Sequence, residues 1–264
     1  MKKRALTLLL ALVMCLSLCT PALAAETMPN VTAMREYLID YGIPADFVNS
    51  TTDASVREIY AETQSYNVEV AFYETATGFD EISSSGISLC GIPSNDFTFR
   101  LLALRITNNA GTALRYIDVR ASYEWLNSPA DRELDGIIFD WSNTNLDYVT
   151  GSFSYTQEYK FSDTQWTSQS SESGTTYDTG NTHGLGKTFN LAIYRSSCTR
   201  GTASLHLQPV GSFSRAHIYS TYRHTESGTQ SSLTISKDGP SVTFSPMSFY
   251  SERTSDATVV WPYS

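Results

Sequence analysis

The sequence predicts a mainly β protein: an antiparallel β-sandwich, of immunoglobulin-like or jelly-roll type, preceded by a short helical segment. Two observations predict it. The hydrophobic period changes from helical to two near Tyr66, and about nine or ten short strand-like runs follow, separated by Ser-, Gly- and Asn-rich turns with no helical stretch between them. Runs of that kind stack as two sheets around one core; a closed barrel is the runner-up architecture.

The chain opens with a different signal. Lys2, Lys3 and Arg4 form a positive start, an apolar stretch follows, and Pro21 precedes the small-residue pattern Ala22-Leu23-Ala24. This is the layout of a cleavable secretory signal over residues 1–25, cut between Ala24 and Ala25. The apolar stretch before Pro21 is shorter than the roughly 20 residues a membrane span needs. Cys15 and Cys19 follow Met14 and Leu18, which are too large for a lipid-attachment site. A secreted product, extracellular or loosely held at the cell surface, is expected.

Removing residues 1–25 leaves 15 Lys and Arg against 27 Asp and Glu, so the formal charge deepens from −9 to −12. Such a chain repels phosphate backbones and anionic membranes, and nucleic acid is excluded as a partner. No later apolar run is long enough for a membrane span. Two cysteines survive processing, Cys90 and Cys198. Either they form one bridge, closing a loop of about 100 residues and contributing on the order of 4–5 kcal/mol, or they stand as separate thiols.

Residues 26–64 read as helical. Met34, Tyr37, Leu38 and Tyr41 share one helix face, Gly42 fits a C-terminal cap, and Pro44 ends the segment. Val56, Ile59 and Tyr60 suggest a second helix capped by Thr52 or Asp53. Some 35 residues are too few to bury a core, so this piece should dock on the main domain or on a partner. Within it, REYLIDYGIPADF resembles the short helical leaders that precede β-domains in other secreted bacterial proteins.

Residues 65–264 carry the strands. Tyr66, Val68, Val70 and Phe72 alternate with their neighbours. TFRLLALRIT and ALRYIDVRASYEWL flank the turn at Asn108–Gly111, a hairpin with Ile117, Val119, Ala121, Tyr123 and Trp125 facing inward. Phe153, Tyr155, Gln157, Tyr159 and Phe161 alternate with small or charged residues. Further strands are expected at Ile137–Trp141, Thr188–Tyr194, Ala203–Leu207, His217–His224, Leu233–Ser236 and Ser241–Phe244. The one-face-apolar pattern implies antiparallel sheets with a wet outer side. Residues 162–187 break it as a long polar loop, in which Trp166, Tyr177 and His183 are the candidate ligand-binding residues.

Several chemistries find no footing. GLGKT at 184–188 lacks the phosphate-loop glycine, since Asn181 stands at its place, and FNLAIY after it alternates as a strand; the segment reads as a turn. Asp131, Glu133, Asp135 and Gly136 begin like an EF-hand loop, but Ser142 replaces the bidentate acid at the twelfth position. A calcium site of another kind, from Asp131, Asp135 and Asp140, stays open; otherwise no cofactor is implied. His217 and His224 are an odd number of residues apart on one strand and so lie on opposite faces. HExxH and the G-x-S-x-G elbow are absent. The remaining signal is aromatic, with 16 Tyr, 12 Phe and 4 Trp, which fill sandwich cores and also stack on sugars and protein surfaces. The expected function is a non-catalytic extracellular binding or interaction module for a glycan, wall polymer or protein. The alternative is a secreted hydrolase using Asp and Glu residues in a β-sandwich cleft.

Overall fold

The computed structural model describes residues 28–77, 95–127, 129, 135–141, 145–161, 165–169, 184–191, 197–211, 215–225 and 250–260, with the backbone alone at 169, 225 and 250–260. It is mainly β with antiparallel sheets, and the short N-terminal helices are present. The segments expected at 233–236 and 241–244 lie outside the described residues.

Helix α1 (Val31–Tyr41) starts where the Asn30 side chain accepts from the Ala33 N–H. It stops at Gly42, whose φ of 107° is left-handed and suits a residue without Cβ. Pro44 then opens α2 (Ala45–Ser50), a six-residue helix the sequence pattern does not reveal, because one and a half turns carry no measurable period. The Thr52 hydroxyl caps α3 (Asp53–Ser65), accepting from Ser55 N–H at 3.3 Å.

The strands are β1 (Asn67–Thr77), β2 (Phe97–Thr107), β3 (Leu114–Trp125), β4 (Asp135–Trp141), β5 (Leu146–Tyr148), β6 (Ser154–Lys160), β7 (Thr167–Gln169), β8 (Gly184–Phe189), β9 (Cys198–Pro209), β10 (Arg215–Thr225) and β11 (Tyr250–Val260). They form two antiparallel sheets. One runs β1-β2-β3-β9-β6-β7, with β5 also on β9; the other runs β11-β10-β4-β8. Both end in edge strands, so neither closes into a barrel.

The sheets share one core. Phe97, Phe99, Leu101, Val119, Tyr123 and Trp125 from the first meet Ile137, Phe139, Trp141, Phe189, Ile218 and Tyr222 from the second. All five inward residues expected on β3 are in it. A polar string crosses this core: Trp125 Nε1 donates to the Tyr222 hydroxyl at 2.8 Å, that hydroxyl donates to Asp135, and His224 Nδ1 lies 2.8 Å from the same carboxylate.

Three expectations need correction. The strand placed at Thr188–Tyr194 runs instead from Gly184 to Phe189, so GLGKT is strand and not turn. Its glycine is needed there: a Cβ on Gly186 would lie 3.0 Å from the Ile137 carbonyl of β4. The same strand shortens the polar loop, which also holds β7. Second, β6 keeps Tyr155 and Gln157 buried, but Phe161 lies beyond its end and is exposed. Third, the outer side of the larger sheet is not wet. The three helices cover it, burying Met34, Leu38, Phe47, Val48, Val56 and Ile59 against Leu102, Leu104 and Ile106 of β2. A register shift between Val70 and Phe72 of β1 sends Val70 to this helix-side cluster and Phe72 to the main core.

Candidate functional site

The alternation that sends Val119, Ala121 and Tyr123 inward sends Asp118, Arg120 and Ser122 outward, beneath the helices. On β9 it does the same for Arg200, Thr202, Ser204 and His206, and on β6 for Thr156 and Glu158. Antiparallel register sets Asp118 opposite His206, Arg120 opposite Ser204, and Arg200 opposite Glu158. The helices thus seat apolar residues over β2 and close a charged seam over β3, β9 and β6.

At one end of the seam Arg200 binds Glu158 at 2.6 Å and Asp53 at 3.1 Å, and Arg35 of α1 reaches the same Asp53 oxygen at 2.8 Å. The Asp53 N–H, in the first turn of α3, donates to Glu158 at 2.7 Å. In the middle, the Thr51 and Thr202 hydroxyls meet at 2.7 Å.

The other end is an acid–histidine cluster. Arg120 Nε donates to Asp118 Oδ2 at 2.6 Å, while its Nη1 reaches Ser55 at 3.0 Å and Glu58 at 2.8 Å on α3. His206 Nε2 lies 3.4 Å from Glu62 Oε1 and 3.8 Å from Asp118 Oδ1. Tyr116 donates to Glu62 Oε1 at 3.2 Å and stacks on the His206 ring at 4.2 Å. The histidine is fixed from behind as well. Between β5 and β6 the chain bulges at 149–153, so that Val149 N–H donates to the His206 carbonyl and His206 N–H to Ser152 Oγ, each at 2.9 Å.

Burial sets the titration of this cluster. It pushes Asp118, which is 0% exposed, up to about 7 against the opposing pull of Arg120. Burial also pushes Glu62 up, but the His206 hydrogen bond and the charge of Arg120 outweigh it and hold Glu62 below the usual carboxylate range. Desolvation pulls His206 down, and hydrogen bonding to Glu62 with the charge of Asp118 more than reverses it, so His206 stands above its ordinary value. Glu62, Asp118 and His206 each present a ligand atom within 4.8 Å of the others, the grouping among the described residues that can hold a cation.

A second feature lies on the helices' outer surface. Tyr37 and Tyr41, both exposed, have ring centroids 5.9 Å apart, and Tyr37 meets the half-buried Tyr60 edge-on at 5.1 Å.

The residues nominated from sequence are dispersed. Trp166 sits just before β7, half-buried, with the Arg200 guanidinium 4.2 Å and the Lys160 ammonium 4.7 Å from its ring, so it covers the outer end of the seam. Tyr177 and His183 lie outside the described residues, as does Asp131. Asp135 faces the core with Tyr222 and His224, whereas Asp140 lies on the opposite face of β4, so the structure does not bring these two together. Cys198 is half-buried, with Sγ 3.1 Å from the Leu126 carbonyl; Cys90 is outside the described residues. The sequence offers His206 only as an isolated strand histidine and does not join it to Glu62 and Asp118, because the three come from three elements and no spacing links them.

No protein-family model matches the chain, and no curated protein matches it. Among solved structures it is similar to AvmM, described as catalysing macrocyclization in alchivemycin A biosynthesis, at 13% identity and a TM-score of 0.28 over 56% of this chain and 82% of that one. It is also similar to a structure of Fap1 fimbriae, described in pH-induced modulation of Streptococcus parasanguinis adhesion, at 14% identity and a TM-score of 0.29 over 73% and 96%. A third is Clostridium perfringens delta-toxin, at 5% identity and a TM-score of 0.23 over 74% and 94%. Likenesses this weak carry no argument about activity.

Proposed function

We propose that the chain is a secreted, non-catalytic binding or interaction module that meets a glycan, wall polymer or protein outside the cell. The observation that carries this reading is the tyrosine surface of Tyr37, Tyr41 and Tyr60. Tyrosines of this kind offer flat contact area with few rotatable bonds, and Tyr41 is held in place because its hydroxyl accepts from the Val68 N–H at 3.2 Å. The scaffold beneath is rigid, since α1 and α3 are held to the sheet by both apolar packing and the charged seam. No described helix is long and apolar enough to cross a membrane, which is consistent with a module that carries no helical span there. Of the two sandwich types, the jelly roll is the better supported, because the chain changes sheet from β3 to β4, β4 to β5, β7 to β8, β8 to β9 and β9 to β10.

The test is retention of the purified protein on peptidoglycan and on a panel of insoluble polysaccharides and surface proteins. The Tyr37→Ala/Tyr41→Ala pair should lose at least tenfold in retention while staying folded by circular dichroism. Retention on none of the panel, or retention untouched by the pair, contradicts the reading.

A secreted hydrolase is the second reading, and the observation favouring it is the Glu62–Asp118 pair, whose pKa values are driven in opposite directions as acid and base roles require. Burial of Asp118 beneath α3 weighs against it, since a substrate would reach Glu62 and His206 first.

A further inference from the structure

The seam's acid–histidine end has a feature that ion pairing leaves unexplained. Asp118 Oδ1 and Glu62 Oε2 are both buried and accept no hydrogen bond, although the other oxygen of each carboxylate is engaged, by Arg120 and by Tyr116. A buried carboxylate oxygen without a donor costs on the order of 1–3 kcal/mol or more. One of them, Asp118 Oδ1, lies 3.8 Å from His206 Nε2, and Glu62 offers a ligand oxygen within 4.8 Å of both, a setting that calls for a positive centre among the three.

We propose that Glu62, Asp118 and His206 bind a divalent transition-metal ion of the zinc class. Distances fit this assignment. Two ligands at about 2.1 Å from a tetrahedral ion stand roughly 3.4 Å apart, and His206 Nε2 lies 3.4 Å from Glu62 Oε1 and 3.8 Å from Asp118 Oδ1. Charge fits as well. With a neutral imidazole, the carboxylates of Glu58, Glu62 and Asp118 against the Arg120 guanidinium leave two negative charges, matched by a divalent cation. One imidazole with two carboxylates selects a borderline ion over calcium, which takes six to eight oxygens.

The outer shell is in place. Arg120 orients Asp118, Tyr116 orients Glu62, and the ring of His206 is held between the Tyr116 stack and a backbone anchored at both of its polar groups. An approach path exists on the side of Glu62 and His206, whose side chains keep 12% and 25% of their surface open. Because the ligands come from α3, β3 and β9, the ion would tie the helical layer to the sheet.

The experiment titrates the full-length purified protein, stripped with EDTA and freed of chelator, with ZnCl2 by calorimetry and with CoCl2 by visible absorption. One equivalent should bind, cobalt should give a d–d band, and the thermal midpoint should rise by several degrees on loading. His206→Ala and Glu62→Gln should each weaken zinc binding at least tenfold, while His217→Ala retains it; circular dichroism checks that the variants fold. No zinc binding by the wild-type protein, binding that survives both variants, or a response to CaCl2 alone would overturn the assignment. None of these results alters retention on the ligand panel, so the two proposals fail separately.

Discussion

Arg120 is the side chain on which the charged seam turns. It is about 1% exposed, yet it holds Asp118 on its own strand and Ser55 and Glu58 on α3. Its guanidinium suits that task because its donors form a rigid fork and it does not lose its charge. Removing one partner of a buried pair leaves the other charge uncompensated, which costs about 3–5 kcal/mol. Arg120→Ala should therefore lower the unfolding free energy by about 3–5 kcal/mol, far more than Arg57→Ala on the exposed side of α3. Equal effects in urea titrations of the two variants would show that the seam contributes little. Asp118 and Arg120 were visible in the sequence only as the polar half of a clean alternation, which reads as a solvated face. Nothing in β3 itself reveals the cover, because that cover comes from α3. The inward half, from Ile117 to Trp125, was legible because a core needs no second segment to explain it.

At the level of elements, legibility follows length and pattern. The caps of α1 and α3 could be read from Gly42 and Thr52 because each is a local device. Helix α2 is too short to show a period, and β11 reads YSERTSDATVV, in which polar residues fall at both odd and even positions and leave no alternation to read. The glycines of β8 look like a turn until their partner is known, since the close approach they permit belongs to β4. Helix α2 nevertheless carries a testable contact. Its Asp46 accepts hydrogen bonds from Tyr73 and Thr75 of β1. Partial burial pushes this carboxyl up, but those two hydrogen bonds and the Arg100 charge outweigh it and hold Asp46 below its ordinary value. A depressed folded pKa stabilises fully above the unfolded Asp value of about 3.9, and the gain is lost as the pH falls from there through the folded value. Wild type should thus exceed Asp46→Asn in urea midpoint at pH 7, and the gap should begin to narrow once the pH falls below about 3.9. A gap that is constant across this range would remove Asp46 from the account.

Across the whole molecule, three layers share two cores. The main core lies between the sheets, and the second lies between the larger sheet and α1, α2 and α3. The sequence made the first predictable and left the second open, because some 35 helical residues must dock somewhere but carry no address. The address is the match between their apolar side and β2 on one hand, and between their charges and the outward residues of β3, β9 and β6 on the other. The central claim is that this match makes the helices part of one cooperative body, which then holds the tyrosine surface in place. Native-state hydrogen exchange measures it directly. If the layer is integral, amides in the middle of α3, around Ile59, should open with the same free energy as those of β3 around Val119, at the global unfolding value. Exchange of α3 at a clearly lower free energy, with β3 still protected, would contradict the claim.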